Sequence, residues 1–395
     1  MQKQRILFTS ESVSEGHPDK VCDQIADAIL DKALSLDSSA RVACECLATK
    51  QFLIISGEIT CNGKIDYEQI ARDVIKRVGY DKEEYGFDYK NCQILLKVNQ
   101  QSTNIKDAVD KVNIEDQGAG DQGIMFGYAT NETEGYMPLA ISIAHKLVRV
   151  ASNLRKEGKF KGARPDMKSQ VTIDYTDPKH IKIDTILMSI QHDEGINLDE
   201  FRKYVHDEIM VNVVKSFGFN KDFKYLINPS DLFVIGGPAG DTGMTGRKII
   251  VDTYGGSARH GGGSFSGKDP SKVDRSATYY ARYIAKNLVA AGVADRLEVQ
   301  LSYAIGVANP ISISISTFKT SKYSDEVILD VINKVFKATP YNIIKTFSLT
   351  KPQFKYSDTS NYGHFGRGDL NLPWEKLDKV EEIKSILSRY KTLEK

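Results

Sequence analysis

The sequence predicts a mixed α and β fold, and three observations carry the prediction. Its apolar runs are short and strand-like, helical stretches separate them, and 395 residues with 41% hydrophobic content suffice for a sizeable core in about two to three compact units. The first helical stretch spans residues 18–36, with Val21, Ile25, Ala28 and Ile29 at helical spacing. Strand-like runs follow at 40–48 and 51–59, then a helix at 65–78 and a strand at 93–98. Further along, residues 170–174, 182–191, 232–237, 299–307 and 311–316 read as strands, and 270–291 as a helix. No linker or low-complexity tract divides the chain. The tract AGDxG nevertheless occurs twice, at Ala119 to Gly123 and Ala239 to Gly243, an offset of 120 residues, near one third of the length.

Charge narrows the function classes. Lys and Arg total 53 against 52 Asp and Glu, so a net charge of +1 gives no general attraction to nucleic acid or membrane. Phosphate binding must then be local. The N-terminal apolar stretch is three residues long and 18 consecutive apolar residues occur nowhere, so a soluble, unsecreted, cytoplasmic protein is expected. The five cysteines lie in the first quarter without a CxxC pair, which fits reduced thiols; Cys44 and Cys46 share one face of a strand, where core packing is favoured over half a metal site.

Three motifs carry chemistry. In SEGHPDK, Ser14 to Lys20, Pro18 suits the first helical position and His17 sits at the helix entrance, where free N–H groups favour an anion. Asp19 offers a metal ligand there and Lys20 a counter-charge; an ordinary capped helix start is the alternative. In GGPAGDTGMTGRK, a glycine-rich turn ends on the cations Arg247 and Lys248, a pattern suited to a phosphate cradle but distinct from both the Walker A and the GxGxxG signatures. In RHGGGSFSGKDPSKVDR, Asp269 and Pro270 read as helix cap and first residue, bringing Lys268, Lys272, Asp274 and Arg275 to one helix start. Eleven of the chain's 30 glycines fall between Gly236 and Gly267, which implies tight turns and a backbone that approaches something closely. Glu45 and Glu58 interrupt strands, where each either faces water or needs a partner.

With these motifs, from Phe8 through Trp374, the chain resembles the S-adenosylmethionine synthetase family, also called methionine adenosyltransferase. The resemblance implies an α+β fold of three similar subdomains, each of mixed β-sheet plus helices, related by a pseudo-threefold axis. Their expected extents are 4–103, 117–234 and 235–375, with a mobile lid at 101–111. It also implies a homodimer or a homotetramer built as a dimer of dimers, with sites at the subunit interface. The expected reaction joins ATP to L-methionine, expels triphosphate and hydrolyses it to pyrophosphate and phosphate, with two Mg²⁺ per site and one K⁺ per subunit.

Residue by residue, the resemblance makes Lys168, Arg247, Lys248 and Lys268 the phosphate clamp, with Asp19 and Asp274 on Mg²⁺ and Glu45 on K⁺. His17 would stabilise charge near the C5′ oxygen, and Asp166 and Phe233 would contact adenosine. Glu58, Gln101, Asp241 and Lys272 would position methionine, Asp241 also touching ATP, while Asp121 compensates the sulfonium. It assigns His17, Glu58, Gln101, Asp166, Lys168, Phe233 and Arg247 to one subunit and Asp241, Lys268 and Lys272 to its partner. Two ATP-contacting positions depart from the family pattern: Asp231-Leu232-Phe233 stands where Gly-Arg-Phe is usual, and Ser264 where Ala is usual. A catalytically silent nucleotide-binding regulatory subunit and a Mg²⁺-dependent triphosphatase or kinase remain competing readings. The acids Glu58 and Asp241 speak against the latter, since a phosphatase needs no carboxylate for an ammonium group.

Overall fold

The computed structural model describes residues 4–100 and 113–392. Among them the strands form three sheets, ordered β1-β6-β7-β8, β11-β10-β5 and β4-β3-β2-β9. The first third supplies β1 (Leu7–Val13), α1 (Pro18–Leu36), β2 (Arg41–Thr49), β3 (Phe52–Thr60), α2 (Tyr67–Val78) and β4 (Gln93–Asn99). The middle supplies β5 (Gly123–Thr130), α3 (Leu139–Lys156), β6 (Ala163–Asp174), β7 (Lys182–His192) and β8 (Lys224–Ile227). The last third supplies β9 (Gly243–Met244), α4 (Val273–Ala290), β10 (Arg296–Tyr303) and β11 (Ser312–Ser316).

Each sheet has its own core of buried apolar side chains, one around α1 and β2, one around α3 and β6, one around α4 and β10. Strand alternation explains the N-terminal layer: in β2 Val42, Cys44, Cys46 and Ala48 point inward, so both cysteines of the pair belong to the core. The sheets exchange strands in a ring. β1 pairs antiparallel with β6 of the middle sheet, β5 with β10 of the last sheet, and β9 with β2 of the first. The two AGDxG tracts end on Gly123 and Gly243, the first residues of the exchanged strands β5 and β9, so the 120-residue offset marks equivalent positions.

Two element predictions are corrected. Residues 232–237 form no strand; Phe233 is instead held by one residue, its N–H donating to His192 Nε2 at 3.1 Å while its carbonyl accepts from the His192 backbone N–H at 3.0 Å. The helix expected from 270 begins at Val273 with Lys272 in the cap position. Asp269 instead closes the turn ahead of that helix and ties it to β2, its carboxylate accepting the N–H groups of Ser271 at 2.9 Å and Val42 at 2.7 Å. Gln101 and the expected lid at 101–111 lie outside the described residues.

Candidate active site

α1 starts as its sequence dictates: Pro18 fills the first turn and His17 caps it, Nδ1 accepting the Asp19 N–H at 3.1 Å. That bond fixes the proton on Nε2. Burial, then the Lys248 ammonium, push His17 down to about 3, so it stays neutral at ordinary pH and can donate from Nε2. Gly243 has to be glycine here, because a Cβ would stand 2.2 Å from the Pro18 carbonyl oxygen, and this approach joins the first two motifs.

Around that contact gathers a first cluster. Asp19 accepts the Met244 N–H at 2.9 Å and pairs with Lys248 at 3.0 Å, with Arg247 Nε 3.7 Å away. Burial works against its charge, yet the Met244 N–H and Lys248 hold its carboxyl below the usual value. On β6, Asp166 accepts the Gly237 N–H at 2.9 Å, and its other oxygen is buried without a partner. Burial pushes Asp166 up to about 6 against the pull of that N–H and of Lys168; Asp241 raises it further. Lys168, two residues along the strand, is exposed. Ser264 lies beside Gly246, and Leu232 is 71% exposed.

A second cluster forms where the third motif meets β2. Lys268 bridges to Ala43, and Gly267, at φ +79°, passes so close that a Cβ would lie 1.9 Å from the Cys44 carbonyl oxygen. Lys268 pairs with Asp274 at 2.6 Å, and Lys272 pairs with Asp269. Asp121 belongs here: a Cβ on neighbouring Gly120 would come 2.8 Å from the Ser271 carbonyl oxygen. Glu45 and Glu58 are both exposed on the outward face of the first sheet, Glu58 in register with Ala43.

Several placements differ from the sequence expectation. Lys20 is no phosphate counter-charge; it is fully buried, pairing with Asp23 at 2.9 Å and with Asp252. Arg275 is buried too, forked onto Asp27 at 2.6 and 2.9 Å. Within one chain Asp241 neighbours Asp166, and Glu58 lies near Lys268, so the expected division of these two acids between subunits does not follow the neighbourhoods within the chain. Sequence reasoning missed Asp23, Asp27 and His192, which hold the loops; spacing by four along a helix was the available signal for the two acids.

Fold and site together define a protein of the mixed α and β class whose glycine-rich loops bring cations and carboxylates to two helix starts. Family models described as the N-terminal, central and C-terminal domains of S-adenosylmethionine synthetase match residues 5–103, 116–233 and 235–376. The S-adenosylmethionine synthase of Mesoplasma florum is 60% identical over 380 residues, covering 96% of this chain and 100% of that protein. Those of Mycoplasma mycoides subsp. mycoides and Clostridium tetani are 59% and 54% identical, covering 96% and 97% of this chain and 96% and 100% of theirs. The chain belongs to the S-adenosylmethionine synthetase family.

Proposed function

We propose that this chain joins ATP to L-methionine to form S-adenosylmethionine and hydrolyses the released triphosphate to pyrophosphate and phosphate. Its relatives carry the first activity in their names. The observation that supports it best is the contact of each candidate metal carboxylate with a candidate clamp lysine, Asp19 with Lys248 and Asp274 with Lys268. Each spot offers a polyphosphate both a metal ligand and a counter-charge. Family membership implies a metal-dependent enzyme, and we infer two Mg²⁺ per site and one K⁺ per subunit. The donor set fits Mg²⁺: among the described residues no three His, Cys, Asp or Glu gather into a cage, and Mg²⁺ favours one or two carboxylates plus substrate phosphates. Asp19 and Asp274 would hold it and Glu45 would hold K⁺; when bound, Mg²⁺ neutralises phosphate charge.

The chain's own residues do the rest. The methionine sulfur is a neutral nucleophile that needs no base, whereas the leaving triphosphate gathers negative charge, so positioning and cations dominate. Lys168, Arg247, Lys248 and Lys268 clamp the phosphates, and neutral His17 donates from Nε2 toward the oxygen released from C5′. Asp166 and Phe233 hold adenosine beside Leu232 and Ser264. Glu58, Gln101, Asp241 and Lys272 orient methionine, and Asp121 offsets the sulfonium.

The sites are shared within a homodimer, or within each dimer of a homotetramer. Apolar residues left outward on strands support this, among them Leu95 at 50% exposure, Ile124 at 44% and Leu226 at 49%. No described helix is long and apolar enough to cross a membrane, which accords with a cytoplasmic enzyme acting on small molecules.

Incubation with ATP, Mg²⁺ and K⁺, with and without methionine, followed by mass spectrometry, tests the reaction. S-adenosylmethionine is expected only with methionine; equal triphosphate cleavage without it would favour a triphosphatase, and no product at all a silent subunit. Sharing is tested by refolding His17→Ala and Lys268→Ala together. With random pairing about half the dimers are mixed and each has one intact site of two, so about a quarter of wild-type activity returns.

A further inference from the structure

The first helix carries aspartates at 19, 23, 27 and 31, four apart and therefore on one face. Like charges at that spacing disfavour a helix, so the row calls for an explanation. The structure supplies one. Asp19 accepts the Met244 N–H at 2.9 Å, Asp23 the Gly246 N–H at 2.8 Å, and Asp27 the Gly267 N–H at 2.9 Å. Asp23 and Asp27 are fully buried, neutralised by Lys20 and Arg275. Gly246 immediately precedes Arg247, and Gly267 immediately precedes Lys268. From Asp19 to Asp27 the helix rises about 12 Å, so one rigid element sets the separation of the two cation-bearing loops.

We propose that Asp23 and Asp27 are positioning residues, each fixing the glycine before a phosphate-clamping cation, Arg247 in one half-site and Lys268 in the other. The proposal rests on the shared-site reading above, in which the two halves serve different sites of the dimer. A helix row of charge-assisted bonds to backbone N–H groups is stiff, and a clamp misplaced by a fraction of an ångström loses rate rather than fold. Asp31 is the internal control. Its carboxylate accepts the N–H groups of Tyr356 at 2.7 Å and Ser357 at 3.0 Å, which belong to neither loop.

The test uses full-length Asp23→Ala and Asp27→Ala, with Asp23→Glu and Asp27→Glu as second variants that keep the charge for Lys20 and Arg275 but change the reach. Each should lower kcat at least tenfold per folded molecule, while Asp31→Asn stays within twofold of wild type. Refolded mixtures then assign the halves. Asp23→Ala should recover activity with Lys268→Ala but not with His17→Ala, and Asp27→Ala with His17→Ala but not with Lys268→Ala. A residue that merely supports the fold would give no such pattern, so equal recovery in both pairings, or in neither, overturns the proposal. Wild-type kcat in the folded Glu variants also overturns it. The His17→Ala and Lys268→Ala mixture is the control: if it stays inactive, the shared-site reading falls instead. The row is then judged by comparison with Asp31→Asn, whose equal kinetic loss would overturn it.

Discussion

Asp166 should be destabilising for the same reason that it is useful. Its carboxyl is buried, one oxygen lacks any partner, and its pKa rises from 3.8 to about 6. A carboxylate with a raised folded-state pKa is penalised once ionised. The cost is absent below the unfolded value, grows as pH rises from 3.8 to about 6, and is complete above that. Two units correspond to about 3 kcal/mol, an order-of-magnitude figure. In Asp166→Asn the amide oxygen can still accept the Gly237 N–H, but nothing ionises. Urea unfolding of both proteins, at one protein concentration and at steps from pH 4 to pH 8, measures the difference. The variant should gain on the wild type steadily to about pH 7 and level off, while losing most of its affinity for ATP. Parallel stability curves would refute the assignment of the penalty to Asp166. Unchanged ATP affinity would refute its proposed contact with adenosine.

Three further outcomes are expected. Asp19→Asn and Asp274→Asn should each abolish most turnover with circular dichroism unchanged, since each removes a charged oxygen proposed to ligate Mg²⁺; wild-type turnover in either folded variant would remove that metal assignment. Leu232→Arg should tighten ATP binding by about 1 kcal/mol, roughly fivefold, if a guanidinium there reaches phosphate or ribose, read by calorimetric titration, and unchanged affinity would show the pocket compensates. Lys20→Met should destabilise by about 3–5 kcal/mol because it strands two buried carboxylates, and a loss below 1 kcal/mol in urea would show that Asp23 and Asp252 find other partners.

What the sequence disclosed and what it withheld divide along a physical line. Local signals were legible: Pro18 placed the start of α1, and strand alternation turned Cys44 and Cys46 inward. Partner choice was not. Nothing in SEGHPDK distinguishes an exposed Lys20 from one buried against Asp23 and Asp252, the latter 232 residues away. Asp269 looked like a helix cap because its spacing to the helix is right, but it closes the turn ahead of that helix and ties it to a β2 amide 227 residues distant. The apolar run 232–237 satisfies a strand pattern, yet Asp231 before it adopts φ +60°, a conformation Asp tolerates better than most residues, and Arg202 grips its carboxylate at 2.6 Å. That same grip shows how this chain keeps the turn where the family pattern has glycine.

Strand exchange explains why motifs so far apart in sequence act together. β9 is only two residues long, yet by pairing with Leu47 and Ala48 it carries the glycine-rich loop of the last third onto the first sheet. From that foothold Met244 and Gly246 reach the aspartates of α1, and Lys248 reaches Asp19. β5 does the corresponding service for the other AGDxG tract, pairing along its whole length with β10 and setting Gly123 3.6 Å, measured from where its Cβ would be, from Asp274. β9 and β5 thus each deliver a glycine-bearing tract to a helix start that another third of the chain provides. Neither half of such a site can form within one third alone. The proposed phosphate-binding groups are therefore aligned by strand pairing between the thirds, whereas each hydrophobic core lies behind its own sheet, so a lesion that loosens the ring of strands should weaken catalysis before it unfolds any one core.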